Sequence, residues 1–77
     1  MARISKFVRG EMERISLHDP IEAIYYLHEK DGRKLFQLNT MGRDSREIPG
    51  KVSQSIQLDQ ESAEQLVLIL QRHFNMK

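Results

Sequence analysis

The chain has no cysteine among its 77 residues, which excludes a disulfide framework and thiolate metal ligands and suits a reducing compartment. No segment approaches the roughly 18 consecutive apolar residues that span a bilayer, so we expect a cytoplasmic protein without a membrane partner. The formal net charge is only +1, too small to imply a polyanionic partner by itself. The length predicts one small domain, residues 1–77, with residues 1–10 as a weakly held or mobile N-terminal arm.

Motifs of enzymes are also lacking. His18, His28 and His73 do not have the close spacing that is typical of zinc sites. The chain contains no nucleophile elbow, no phosphate-cradling glycine loop and no dinucleotide fingerprint. Glu11 and Glu13 lie in a polar segment that offers little burial for acid-base chemistry. We therefore expect a non-enzymatic protein with no metal and no cofactor.

The most informative segment of the sequence is residues 21–40, which has the pattern of a β-hairpin. The runs IEAIYYLHEK and RKLFQLNT flank Asp31-Gly32, a pair that favours a two-residue type I′ turn. That turn places Lys30 opposite Arg33 and fixes every later pair. We interpret one face as core, with Tyr25, Leu27, Phe36 and Leu38. The other face, which we interpret as a candidate binding surface, carries Ile24, Tyr26, His28, Lys30, Arg33, Leu35, Gln37 and Asn39.

Strand patterns also occur on both sides of the hairpin. EMERISL at 11–17 is a candidate first strand that should end before Pro20, because proline cannot donate a ladder hydrogen bond. Residues 41–50 have the glycine, proline and charge content of an exposed loop. KVSQSIQLD at 51–59 alternates apolar and polar residues and predicts a half-buried fourth strand.

A helix is predicted to close the chain. Asp59 can cap a helix from Gln60 to Phe74, whose apolar stripe would lie on the sheet. The stripe consists of Ala63, Leu66, Val67, Leu70 and Phe74. Leu68 lies on the opposite side of the helix and is either a solitary exposed leucine or an oligomer contact. The predicted fold is α+β, with a four-stranded antiparallel sheet and one C-terminal helix packed on one face, in the order β-β-β-β-α.

The uncovered face of such a sheet has three interpretations. It can simply be hydrated, as outward positions of antiparallel sheets usually are. It can bind a nucleic-acid strand, because its cations would contact phosphates and its rings would stack on bases. It can also be a protein interface, as in a small regulatory module that acts as a homodimer. For nucleic acid, the candidate contacts are Tyr26, His28, Lys30, Arg33, Lys34, Arg43, Arg46 and Lys51.

From AIYYLHEKDGRKLFQLN through IPGKVSQSIQLDQESAEQLVLIL, the sequence resembles the positive cofactor four-like family of transcriptional coactivators that bind single-stranded DNA. The resemblance covers roughly residues 21–71. It implies a homodimer in which two helices meet and curved sheets hold opposed single strands, with a function in transcription or DNA metabolism. The chain departs from the family pattern at Lys30, where the family has an aromatic residue, and at Asn39, where it has an arginine. Tyr26, Arg33 and Lys34 are predicted to replace those two contacts.

Overall fold

The computed structural model describes residues 1–41 and 52–77. Its elements, in chain order, are β1 (Ala2–Ile4), β2 (Ala23–Lys30), β3 (Arg33–Met41), β4 (Val52–Leu58) and α1 (Gln60–Phe74). The predicted α+β class, with a four-stranded sheet and one C-terminal helix, is confirmed. Most of the predicted loop at 41–50 lies outside the described residues.

The sheet is mixed, so the prediction of a purely antiparallel sheet is wrong. Its strand order is β1-β4-β3-β2, in which β2 and β4 run antiparallel to β3 while β1 runs parallel to β4. Residues 11–17 form no strand and are exposed, and Ala2–Ile4 pairs with β4 instead. The reason lies in the segment itself, because Met12 and Ile15 are three residues apart and would face opposite sides of a strand.

The hairpin has the predicted register. Lys30 pairs with Arg33, Tyr26 with Gln37, and the ladder continues without a shift to Ala23 and Thr40. Asp31 and Gly32 have φ values of 53° and 75°, the positive values that a type I′ turn needs at both central residues. Local turn chemistry therefore determines which β2 and β3 side chains share a face.

The helix has the predicted bounds and the predicted cap. The backbone N–H of Ser62 donates to the Asp59 carboxylate at 3.0 Å, and the backbone N–H of Asp59 donates to the Ser62 hydroxyl at 3.0 Å. This reciprocal capping box satisfies an otherwise unpaired first-turn amide and leaves Ser62 fully buried. Asn75 ends the helix in a left-handed conformation, with φ 53°.

The apolar core is smaller than the sequence predicted. Among the described residues, Leu58 is the only buried apolar side chain, at 7% exposure. The prediction that Tyr25 and Leu27 belong to the core is wrong, because they are 64% and 77% exposed. The helix lies mainly over β3 and β4 and leaves the apolar side of β2 uncovered. The second half of the helical stripe, which includes Phe74, is exposed as well.

The segment after β1 is held against the helix by one glutamine. The backbone N–H of Phe7 donates to the Gln65 side-chain oxygen at 3.0 Å, and the Gln65 amide nitrogen donates to the Ser5 carbonyl at 3.4 Å. These bonds connect the N-terminal residues to the middle of α1. Within the described ranges, no helix is long and apolar enough to cross a membrane.

Candidate functional site

The sheet face opposite α1 is the candidate site, and we refer to it as the polar face. Strand alternation and register assign its members. They are Arg3 from β1, Ser55 and Gln57 from β4, Arg33, Leu35, Gln37 and Asn39 from β3, and Ile24, Tyr26, His28 and Lys30 from β2.

Hydrogen bonds order the centre of the polar face. The Asn39 side-chain oxygen accepts from Gln37 Nε2 at 3.0 Å and from Ser55 Oγ at 2.9 Å. Gln57 Nε2 donates in turn to Gln37 Oε1 at 3.0 Å. The network crosses from β4 to β3 and leaves Asn39 only 8% exposed. Side chains held in this way lose little further freedom when a ligand binds, so the centre of the face is preorganised.

An aromatic pair lies beside this network on β2. The rings of Tyr26 and His28 are nearly parallel, with centroids 5.9 Å apart and planes inclined by 6°. The two residues are two positions apart on one strand, so their side chains rise from the same face. Tyr26 is 40% exposed. A planar heterocycle can therefore stack on this pair without displacing an element of the fold.

The charges on the strands of the polar face are all positive. Arg3, Lys30 and Arg33 are exposed, and no carboxylate occupies a strand position on this face. Lys30 lies directly opposite Arg33, an unfavourable like-charge pair that a bound anion would relieve. Glu22 directly precedes β2, Asp31 follows it in the turn, and Asp59 follows β4.

Asp59 links the edge of this face to the helix. The hydrogen bond from the Ser62 backbone N–H, reinforced by the Ser62 hydroxyl and the positive charge of Arg3, lowers the pKa of the Asp59 carboxyl below its ordinary 3.8. Arg3 therefore interacts electrostatically with the Asp59 carboxylate that caps the helix. Lys30 and Arg33, at the turn end of the hairpin, are the cations more free to meet a ligand.

The structure brings together four of the eight predicted nucleic-acid contacts, namely Tyr26, His28, Lys30 and Arg33. Lys34 lies on the opposite face, where its strand partner is Glu29 and its surroundings include Leu27 and Phe36. The other three predicted contacts, Arg43, Arg46 and Lys51, lie outside the described residues. Leu68, the predicted oligomer contact, is 50% exposed on the helix.

Sequence reasoning missed Arg3 as a member of the site. Residues 1–10 were predicted to be an arm, whereas Ala2–Ile4 extends the sheet and places Arg3 beside Gln57. The alternation of Ala2, Arg3 and Ile4 is a strand signal, but three residues are too few to identify a strand without its partner.

Over residues 1–41 and 52–77, no cluster of three histidine, cysteine, aspartate or glutamate side chains could hold a metal ion. Comparison with protein-family models, with curated proteins and with solved structures finds no significant match.

Proposed function

We propose that this protein is a non-enzymatic, single-stranded nucleic-acid-binding homodimer that uses the polar face as its contact surface. The observation that carries the proposal is the parallel Tyr26 and His28 pair on a face whose strand charges are all positive. Stacked rings and cations on one open sheet are the combination that binds unpaired strands. A duplex hides the flat faces of its bases, so the exposed rings favour a single strand.

The chemistry divides into two parts. Arg33 and Lys30 neutralise phosphates and release counterions, which gives affinity at low salt. Tyr26 and His28 stack on bases, which adds affinity with little dependence on base identity. The hydrogen-bonded amides of Gln37 and Asn39 already satisfy one another in part, so little base-edge readout is expected.

The resemblance to the single-stranded DNA-binding coactivators supports the same proposal, and the geometry suggests how this chain compensates for its departures from that family. Lys30 replaces an aromatic residue next to the turn, while His28 and Tyr26 follow on the same face at two-residue intervals. Asn39 replaces an arginine, while Arg33 and Arg3 provide guanidinium groups elsewhere on the face. We propose that Tyr26 and His28 provide the stacking that the family's aromatic residue next to the turn provides. Arg3 and Arg33 likewise provide the positive charge of the family's arginine at the position of Asn39.

The test is fluorescence anisotropy with labelled single-stranded and duplex DNA and with single-stranded RNA, at 50 and 200 mM salt. We expect binding to single strands that weakens steeply with salt, and weaker binding to the duplex. A duplex preference, or no binding to any probe at 50 mM salt, would reject the proposed function. The RNA arm decides between the two types of nucleic acid and does not affect the proposal for the face.

A second function is favoured by a separate observation on the opposite face. An open cleft of about 390 Å³ lies between the hairpin and the start of α1, lined by Leu27, Phe36, Leu58 and Ala63 among others. Its apolar side chains suit an apolar segment of a protein partner, as in a small regulatory module, while the rest of its lining, which includes His28, Glu29, Lys34, Asp59 and Gln60, is mostly polar. Binding through it should change little with salt, in contrast to binding through the polar face.

A further inference from the structure

We propose that the free edge of β2 pairs with β2 of a second copy, antiparallel and centred on Tyr26, so that two sheets join into one. This inference specifies the homodimer within the proposed function and is tested without nucleic acid. The strand has eight residues, all exposed, and β3 is the only strand beside it among the described residues. Long, apolar edge strands without proline are templates for pairing with another chain.

The backbone of β2 determines which residues can pair. A two-residue turn makes Lys30 and Arg33 a hydrogen-bonded pair, and such pairs alternate along an antiparallel ladder. Consequently, even-numbered residues of β2 direct their N–H and C=O groups to β3. The odd-numbered residues direct theirs to the free edge, and these are Ala23, Tyr25, Leu27 and Glu29.

The register follows from pairing those four residues among themselves. With Tyr26 opposite Tyr26 of the second copy, Tyr25 meets Leu27 and Ala23 meets Glu29, which gives on the order of eight new backbone hydrogen bonds. Centring on Leu27 instead would place Ala23 opposite Asp31, a turn residue whose positive φ ends the ladder. Centring on Tyr25 would place Glu29 opposite Ile21, which lies before β2 begins.

Side-chain chemistry supports the same register. On the apolar side, Tyr25 and Leu27 are the most exposed large hydrophobic side chains of the described strands, and each would meet the other across the two-fold axis. At both ends of the new ladder, Glu22 would lie opposite Lys30 of the second copy, an attractive pair. The remaining edge, β1, has only three residues, and short edges resist further pairing, so the assembly would close at two copies.

Pairing of this kind would also complete the polar face. The two Tyr26 side chains would be neighbours at the axis, with one Tyr26 and His28 stack on each side of it. A single strand could then run across both copies, so each copy would contribute stacking groups to one continuous surface. This surface differs from the helix side that carries Leu68, which was the oligomer contact predicted from the sequence.

The first experiment measures mass in solution by light scattering, on the full chain without nucleic acid. We expect twice the 9.1 kDa chain mass. Leu27→Pro removes an amide of the free edge and leaves the β2 to β3 hydrogen bonds intact, so it should give a monomer with an unchanged circular dichroism spectrum. Leu68→Glu, on the helix, should remain a dimer. A monomeric parent protein, or a dimer that is lost in Leu68→Glu and retained in Leu27→Pro, would overturn the proposal.

A second experiment measures the register and does not depend on how Leu27→Pro folds. Because the chain has no cysteine, single introduced thiols report only their own contacts. Tyr26→Cys would place two Cα atoms about 4.5 Å apart, within disulfide range, and should cross-link under mild oxidation. Ile24→Cys and Leu68→Cys should stay uncross-linked. Cross-linking of Leu68→Cys without Tyr26→Cys would contradict the proposed edge. If the parent protein is a dimer and Tyr26→Cys cross-links as expected, but the parent binds no nucleic acid, only the proposed function is rejected.

Discussion

Replacing Arg33 with alanine should flatten the salt dependence of single-strand binding. Each phosphate contact contributes about −0.7 to the slope of log K against log salt for single strands. If Arg3, Lys30 and Arg33 each neutralise one phosphate, the strands of one polar face contribute a slope of about −2.1, which corresponds to a roughly 18-fold loss of affinity between 50 and 200 mM salt. Without Arg33 the slope becomes about −1.4 and the loss about 7-fold. Contacts made elsewhere in the chain add equally to both proteins, so the difference of about 0.7 should remain.

The assay is anisotropy titration of a labelled oligonucleotide at several salt concentrations, and Lys34→Ala is the matched control. Lys34 is the next residue, it is exposed, and its loss changes the net charge by the same amount, yet it lies on the other face opposite Glu29. We expect Lys34→Ala to keep the parent slope. Equal flattening by both variants would show that net charge, and not the polar face, determines binding. An unchanged slope in Arg33→Ala would refute the placement of phosphate at the turn end of the hairpin.

Tyr26→Ala should weaken single-strand binding by about 5- to 150-fold, as expected for the loss of one stacked base, without changing the salt slope. Phe74→Ala removes an exposed aromatic ring on the helix, which belongs neither to the polar face nor to the free edge of β2, and should not weaken binding; a similar loss in both variants would contradict stacking on the polar face. Leu58→Ala should lower the free energy of unfolding, measured with urea, by about 2 to 5 kcal/mol, because it leaves a cavity at the centre of a small core. A change below about 0.5 kcal/mol, which is typical of surface sites, would refute the placement of Leu58 at the centre of the core. Asp59→Ala should lower the thermal midpoint at neutral pH, because it removes the carboxylate that caps the helix. The pKa of this carboxyl is lower in the folded protein than its ordinary 3.8, so the stabilisation by the cap is present above pH 3.8 and is lost as the pH falls through the pKa of the folded state. The midpoints of parent and variant should therefore converge in acid, and a constant difference across that range would contradict the carboxylate cap.

The exposed apolar surface has a consequence for these measurements. Leu27 and Phe74 are both largely exposed in the single chain, and a domain with so little buried apolar area has a small margin of stability. If the chain dimerises through β2, the thermal midpoint should rise with protein concentration, because association stabilises only the folded form. Stability comparisons between variants therefore need equal protein concentrations.

The sequence by itself determined the elements that depend on neighbouring residues. Asp31-Gly32 determined the hairpin and its register, because a two-residue turn with positive φ leaves one pairing. Asp59 and the apolar spacing that follows it determined the helix from Gln60 to Phe74. The alternation of side chains along the two hairpin strands, in this register, placed Tyr26, His28, Lys30 and Arg33 on one face. Local rules therefore predicted the placement of half of the candidate nucleic-acid contacts.

Tertiary structure decided what depends on distant residues. Ala2–Ile4 is a strand only because the free edge of β4 accepts it, and nothing within three residues indicates that partner or its parallel direction. Arg3 therefore joined the candidate site through a contact more than fifty residues away in the chain. The exposure of Tyr25 and Leu27 was likewise decided by where α1 lies, over β3 and β4. Periodicity shows that a face is apolar, but only the packing of the helix shows whether this chain covers that face.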